Sequence, residues 1–588
     1  MFPVTAGLAS APSLVTTRQW CSGASRCGSA IGASAAWRVI TQQQGAPVTR
    51  TFLDLRGRTV RSEAQAFAEG RWSAVQRQYN GRGLLIKETP TFDAAGNQST
   101  VDAGTYTTFA GHDALGRPQS REWTKLDLAV GAAAGATTKL KTTYAYRGAR
   151  ATLTLQREGG NSAGEVPAVT IKRTHDIAGR VLSTVDASSG TTGFWYDGAG
   201  NPVLITDAMG NHTQASYDDL GRRTLTKDPN RGDWTFNYDG YGQVIEQRDA
   251  RYSAGLYAWK QAYDSLGRPI SREWQERKEA TGTAAVCGRD EWTYDISGIG
   301  LPATSRRTIR AVAGGACQTT DLERVEEALT YDALFRPKQS YELIYRHARN
   351  QSDALTIRYA YDSNFGRLKS HELPGLVTTY AAYGPRGHLV EEGNAVGFVA
   401  YGSVQNRYYR KVTAMNAAGE VTESLLGNRA TGASTYAPAM VRTQSVDEGT
   451  GRLRSICVRL SGDVANCSAP ASSMTATNKI ADIAYWYDVY DNLTQTQDVG
   501  LHLTPLGAPA ATKLREAYAY DPLFRLTTVA RGGDSAGDVT SYAYDAIGNL
   551  KKKTDFSTDS DAAYVYSTAG KPYAVSRVSR PGGSAADV

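Results

Sequence analysis

The residues able to do covalent chemistry are few and poorly arranged for it. Gly-x-Ser-x-Gly occurs twice, at Gly160 to Gly164 (GNSAG) and at Gly533 to Gly537 (GDSAG). A nucleophilic serine in that pattern needs a strand before it and a helix after it. Both matches lie in small, polar stretches between strand-like segments, which reads as hairpin loops. Of the seven histidines, His112 and His175 occupy a repeated position described below. His212, His347, His371, His388 and His502 share no spacing. No HExxH and no GxxxxGK[ST] occurs. Acidic residues number 58, and two carboxylates suitably far apart could hydrolyse a glycoside. Nearly all the distinctive Asp, however, open a turn that closes on Gly. Asp559-Ser560-Asp561 lacks the Gly and the distal Glu of a calcium loop. The expectation is a non-enzyme with no catalytic residue, no cofactor and no metal site.

The six cysteines form three sequence-local pairs, Cys21 with Cys27, Cys287 with Cys317 and Cys457 with Cys467. Local pairing of an even number suggests disulfides and an oxidising compartment, secreted or at the cell surface. No pair has CxxC spacing, so zinc is not expected. Met1 to Ser13 lacks the basic start of a secretory signal. The net charge of +7 spreads over 588 residues, whereas nucleic-acid binding favours clustered basic patches. No apolar run of about 18 residues exists to cross a bilayer as a helix. Arg outnumbers Lys, 48 to 17. Arg in repeated turns suits a structural fork to carboxylates or carbonyls. Together with Tyr and Trp on strands, it also leaves open a surface for glycans.

The elements that must position these residues come from a repeat. Between residues 175 and 268 a six-residue pattern returns: HDIAGR from His175, YDGAGN from Tyr196, YDDLGR from Tyr217, YDGYGQ from Tyr238 and YDSLGR from Tyr263. Asp186, Asp207 and Asp228 lie between these units, each with a Gly soon after (Gly190, Gly210, Gly232). One unit therefore holds two turns and two strands. Asp suits the first position of a type I turn, and the Gly takes the left-handed position before a bulge. The flanks alternate as strands do, with Thr213, Ala215 and Tyr217 on one face and Gln214 and Ser216 on the other. The Tyr is expected to pack its ring on the next unit and keep its hydroxyl in water. The clearest turns are Tyr196, Asp197 and Gly200; Tyr217, Asp218, Gly221 and Arg222; Tyr263, Asp264, Gly267 and Arg268; and Tyr544, Asp545 and Gly548. Weaker copies run from Asp54 to Gly570, with longer inserts near 275–325 and 425–480.

Repeated hairpins cannot bury a face alone, and side by side they make one continuous sheet. A sheet this wide must coil or close. Polar residues on both faces suggest a hollow, solvent-filled wall. The expected fold is all-β: a spiral of stacked hairpins forming a large hollow or partly open shell. It divides into an irregular segment over 1–50 that could hold the first shell strands, the shell over 51–575, and a flexible tail over 576–588.

The Y-D-x-x-G-R/N pattern at 21-residue steps resembles the YD (Rhs) repeat family of bacterial Rhs elements, toxin-complex components and the shell of teneurins. The resemblance covers about residues 50–575. It implies a hollow β-shell, which in bacterial members encloses a toxic segment and in teneurins takes part in adhesion. Bacterial shells of this family usually end in a self-cleaving D-P-x-G core. Here Asp521-Pro522-Leu523-Phe524 lacks the Gly, and Asp228-Pro229 is a repeat turn. The resemblance thus points to a shell wall without protease or toxin. Its expected partners are an encapsulated toxin or remaining shell segments on another chain. Glycans are the alternative, and neither nucleic acid nor a membrane is expected.

Overall fold

The structure is a computed structural model. It describes residues 14–21, 27, 35–43, 45–95, 105–133, 135–147, 152–159, 166–250, 257–276, 285–296, 298–313, 316–346, 351–363, 365–374, 377–394, 407–430, 436–447, 449–460, 479–498, 514–532, 538–560, 562–567, 571–580 and 586–587. Among these are forty-two strands, numbered β1 to β42 in chain order. Thirty-nine strands form one sheet, and β40 (Tyr564–Ser567), β41 (Lys571–Val578) and β42 (Ala586–Asp587) form a second.

The alternation of polar and apolar residues decides which face each strand presents. In β16 (His212–Tyr217), Thr213, Ala215 and Tyr217 are half-buried while His212, Gln214 and Ser216 are exposed. In β18 (Gly232–Tyr238), Trp234, Phe236 and Tyr238 turn to the half-buried side. Pairing is antiparallel and nearly always with the next strand in sequence, as between β16 and β17 (Arg223–Asp228). One fork interrupts this order. β5 (Arg71–Tyr79) pairs through its first half with β7 (Phe92–Ala95) and through its second with β6 (Leu85–Glu88), and β6 then pairs with β8 (Tyr106–Ala110).

Little of this sheet is core. One small cluster gathers Cys27, Phe52 and Val60, and another Trp72, Ala74 and Ala94. The accessible surface is 33710 Å², against about 20,000 Å² for a compact monomer of this mass. A thin sheet exposes both faces and so adds to this surface.

The wall winds back on itself. The Arg386 guanidinium donates to the carbonyl of Phe67, 319 residues earlier, at 2.8 Å. The Tyr487 N–H donates to the Leu128 carbonyl at 3.0 Å. Lys125 pairs with Asp491, and the Tyr573 hydroxyl donates to Asp207, both across 366 residues. The chain thus completes more than one turn of a spiral and fewer than two. Along this seam the repeat turns of the second winding, Gly384–His388 and Asp488–Asn492, sit on the opposite, loop-bearing edge of the first.

Several segments outside the clear repeats carry strands. β1 (Leu14–Trp20), β2 (Trp37–Gln43) and β3 (Thr49–Leu53) bring residues before 51 into the sheet. Within 576–588, β41 extends to Val578 and pairs with β42. The region near 275–325 holds unusually long strands, β23 (Pro302–Ala313) and β24 (Ala316–Tyr331), paired as one tall hairpin. Near 425–480, β31 (Val421–Ala430), β32 (Tyr436–Asp447) and β33 (Arg452–Leu460) are sheet strands; 461–478 lies outside the described residues.

Candidate functional site

The repeat turn is the one constellation used over and over, and its geometry is closely conserved along the chain. In the turn from Tyr196, the Asp197 carboxylate accepts through Oδ1 from the N–H groups of Ala199 (3.0 Å) and Asn201 (2.8 Å), and through Oδ2 from the Asn201 amide (2.9 Å). Asp218 does the same with Leu220 and Arg222, whose Nε closes the ring at 2.7 Å. Asp264 with Leu266 and Arg268, and Asp545 with Ile547 and Asn549, repeat the set. The carboxylate therefore holds the turn as a hub for three donors. Gly200, Gly221, Gly267 and Gly548 all take positive φ, 75° to 95°. A bulge follows: Trp195 faces Leu204, but Tyr196 faces Pro202.

These contacts favour the ionised form of Asp197, Asp218 and Asp264. The Asn201 amide, then its backbone N–H, lowers the Asp197 carboxyl below its ordinary range. The backbone N–H of Arg222 does most to lower Asp218, and that of Arg268 does most to lower Asp264. An acid committed to three donors is a poor general acid or base.

The tyrosine corrects the sequence reading on both counts. Its hydroxyl is tethered rather than free in water, and its ring lies against the preceding unit. Tyr196 donates to the Val181 carbonyl at 2.8 Å, Tyr217 to Pro202 at 3.0 Å, Tyr263 to Val244 at 3.0 Å and Tyr361 to Pro337 at 2.8 Å. The Arg of the preceding turn covers the ring: Arg180 on Tyr196 at 4.7 Å, Arg268 on Tyr294 at 4.4 Å and Arg525 on Tyr544 at 4.8 Å. Arg also reaches the next turn directly, as Arg222 does to the Asp239 carbonyl at 3.1 Å. One residue thus closes its own turn, stacks on the neighbouring ring and ties adjacent hairpins.

Three turns carry a bulky or charged residue where the repeat has Gly. Phe335, Phe524 and Asp491 take φ of 61°, 61° and 71°. Asp491 uses this to reach the nearly fully buried Lys125 across the seam. In the loop opened by Asp186, Ser189 rather than Gly190 takes the positive φ. The seam residues Phe67, Lys125, Arg386, Asp491 and Tyr573 escaped the sequence reading. The one signal that could have found any of them is the Asp in the Gly place of DVYDN (488–492).

The tall hairpin carries a charge lattice. Asp290 is clasped by Arg272 at 2.6 Å and Arg307 at 2.7 Å. Burial opposes its charge, but Arg307 and Arg272 together keep the carboxyl below its usual range. Disulfides join Cys21 to Cys27 and Cys287 to Cys317. Cys457 is also disulfide-bonded; Cys467 lies outside the described residues. So do both Gly-x-Ser-x-Gly segments, His347, His502 and Asp561. Among the described residues, no group of three or more His, Cys, Asp or Glu could hold a metal ion.

Comparison with known proteins agrees with this geometry. The RHS Repeat family profile matches residues 196–233. No curated protein matches the sequence. Among solved structures, a TcdB2-TccC3-Cdc42 crystal structure aligns with a TM-score of 0.58 at 13% identity, covering 91% of this chain and 28% of its own. A TcdB2-TccC3-TEV crystal structure gives 0.58 at 14% identity, covering 94% and 30%. A Photorhabdus luminescens Tc holotoxin pore gives 0.57 at 14% identity, covering 94% and 30%. The likeness is one of fold, and this chain spans less than a third of the length of those structures.

Proposed function

We propose that this chain, a YD-repeat (RHS-repeat) protein, forms part of the wall of a hollow, non-enzymatic shell. The shell encloses a polypeptide cargo in a secreted or cell-surface, toxin-like assembly. The observation that carries this reading is the single wound sheet of thirty-nine strands with almost no core. A wall of that kind separates an interior from bulk water, and its ionisable groups are spent on holding turns. One of the matched structures is by its name a Tc holotoxin pore, which supports a toxin-related assembly over adhesion. Nothing in the repeat turn offers a free nucleophile or a poised acid–base pair.

Small-angle scattering of the purified chain tests the reading. A hollow particle gives a radius of gyration well above the ~25 Å of a compact chain of this length, together with the minima of a shell. A compact solid particle would exclude it. Protection of a co-purifying polypeptide from added protease would identify the cargo. A carbohydrate-binding role rests on exposed aromatics such as the edge-to-face pair Trp20 and Trp37. Binding on a glycan array that Trp37→Ala abolishes would favour it.

A further inference from the structure

One turn on the seam lacks the acid that its neighbours use. The turn Gly384–His388 follows Tyr383 as the repeat requires. Yet Gly384 stands where the flanking turns have Asp362 and Asn416, and His388 where they have Arg367 and Glu420. In the flanking turns side chains help to hold the loop: Asp362 accepts from the Arg367 N–H at 3.1 Å, and the Asn416 amide donates to Glu420 at 2.8 Å. Gly384 has no side chain to do this. The main chain closes the turn, the Gly384 N–H donating to the His388 carbonyl at 2.8 Å and the Gly387 N–H to the Gly384 carbonyl at 2.9 Å. The imidazole lies across the seam against Phe67, edge-to-face, with ring centres 5.7 Å apart. Arg386 of the same turn bonds the Phe67 carbonyl. One turn of the second winding thus holds both the ring and the main chain of one residue in the first.

Protonation acts directly on this contact. Both rings are half-buried. Burial, then the Arg386 charge, lowers the imidazole below its ordinary value, so at neutral pH the ring is neutral and packs as an aromatic. Charge reaches this place from several elements. Arg386 stands in its own turn. From the preceding turn, Arg367 comes within 3.4 Å of where a Cβ on Gly387 would lie, and it is paired with Asp362 at 3.3 Å. In the loop that carries Phe67, Glu69 is exposed to solvent. In the following turn Glu420 takes the Asn416 amide, and in β29 (Leu389–Asn394) Glu391 takes the Tyr380 hydroxyl. A proton on His388 therefore puts a second cation beside Arg386, in a turn with no acid of its own. A lowered imidazole favours the closed contact above its free value, near 6.5, and the gain is lost as pH falls below that value.

We infer that the turn Gly384–His388 is an acid-sensitive latch: neutral His388 holds the second winding on Phe67 of the first, and its protonation releases that contact and slackens the seam. The ties of Lys125 with Asp491 and of Tyr573 with Asp207 contain no histidine, so the response to mild acid belongs to this turn. Its consequence rests on the shell reading: in a wall around a cargo, a slackened seam is an opening triggered by acid.

The test measures amide exchange in the full chain at about pH 7.5 and 5.5, on either side of the free imidazole value, with rates corrected for the intrinsic effect of pH. Small-angle scattering accompanies it. In the parent, protection of residues 65–71 should fall severalfold at the lower pH, with no comparable loss in residues 175–268. His388→Phe keeps an aromatic ring on Phe67 and removes the titration, so its protection at 65–71 should be equal at both pH values. His388→Lys, charged throughout, should exchange at the higher pH as the parent does at the lower. A parent whose 65–71 protection ignores acid, or a His388→Phe variant that loses it as the parent does, would overturn the inference. So would protection that rises on acidification, which would mean that Glu69 receives the new charge across the seam. The two readings fail separately. A hollow particle at pH 7.5 leaves the shell standing whatever the exchange shows, and a solid one removes the shell while the exchange still decides the latch.

Discussion

Gly387 and Gly57 hold the same left-handed position of the repeat turn, at φ of 84° and 77°, in different surroundings. A Cβ on Gly57 would meet nothing within 4 Å, whereas one on Gly387 would lie 2.6 Å from the Gly45 carbonyl oxygen across the seam. Gly57→Ala should therefore cost only the conformational strain, about 1 kcal/mol. Gly387→Ala adds a backbone displacement of about 1–3 kcal/mol more. Thermal unfolding of the two variants beside the parent checks the order, and equal midpoints would deny the close approach. At this scale the sequence was informative where the chemistry is local. The Asp hub and its Gly involve five consecutive residues, so their spacing was enough to read them. The Tyr hydroxyl was misread because its acceptor depends on register: it lies 15 residues back for Tyr196 and 34 back for Tyr487. Tyr196→Phe should loosen its hairpin by about 0.5–1.5 kcal/mol, seen as faster amide exchange in residues 191–206 alone. Unchanged exchange would mean the tether is incidental.

Hairpins are the units in which those residues act, and each touches mainly its neighbours, so damage should stay local. The tall hairpin of β23 and β24 is the one furthest from the repeat. Length and charge hold it: the Asp290 clasp and the Cys287–Cys317 bond, which spans 30 residues. A loop of that size corresponds to about 3–4 kcal/mol in the chain-entropy account. Replacing both cysteines by Ser should make residues 302–331 the first site of limited proteolysis while the 175–268 hairpins stay resistant. Cleavage beginning elsewhere would contradict this. Adjacent hairpins are also tied by charge. Arg268 grips the Asp295 carboxylate with two bonds, 2.9 and 2.6 Å. This clasp, then the Gly300 N–H, lowers the carboxyl to about 2. A depressed carboxyl stabilises the folded form above its unfolded pKa, near 4, and the gain disappears as pH falls through about 2. Asp295→Asn should flatten the stability of this hairpin pair between pH 4 and 2, measured by amide exchange. An unchanged acid limb would show that the clasp is not energetically coupled to folding. The strands themselves were legible from alternation, but their heights were not. Nothing in 302–331 says whether extra residues lengthen a strand or loop out, because that depends on whether a neighbouring strand is equally long.

Across the whole molecule, the decisive contacts join residues 319 to 366 positions apart, and this is why the spiral was legible as a necessity while its seam was not. A wide twisted sheet has to curl, but the residues that meet after one turn depend on every loop length between them, and the separation is not constant. Lys125 and Asp491 form the most buried ion pair on the seam, with side chains 2% and 10% exposed. Removing one partner of such a pair leaves a stranded charge and typically costs about 3–5 kcal/mol. Because hairpins pair laterally within each winding, that loss should fall on the contact between windings and spare the hairpins. Lys125→Met or Asp491→Asn alone should therefore expand the particle in small-angle scattering with its β-signal in circular dichroism intact, and speed exchange along residues 484–498. The double variant, with no stranded charge, should recover much of the loss. At high pH the second tie fails separately: burial, then the bond to Asp207, raises the Tyr573 hydroxyl to about 12. Its contribution is complete below pH 10 and lost as pH rises through 12. An expanded parent protein at pH 12 that Tyr573→Phe mimics at pH 8 would place both contacts on one seam. If instead the Lys125 variant loses its β-signal together with its compactness, the windings are not held independently of the hairpins, and the wall folds as one unit.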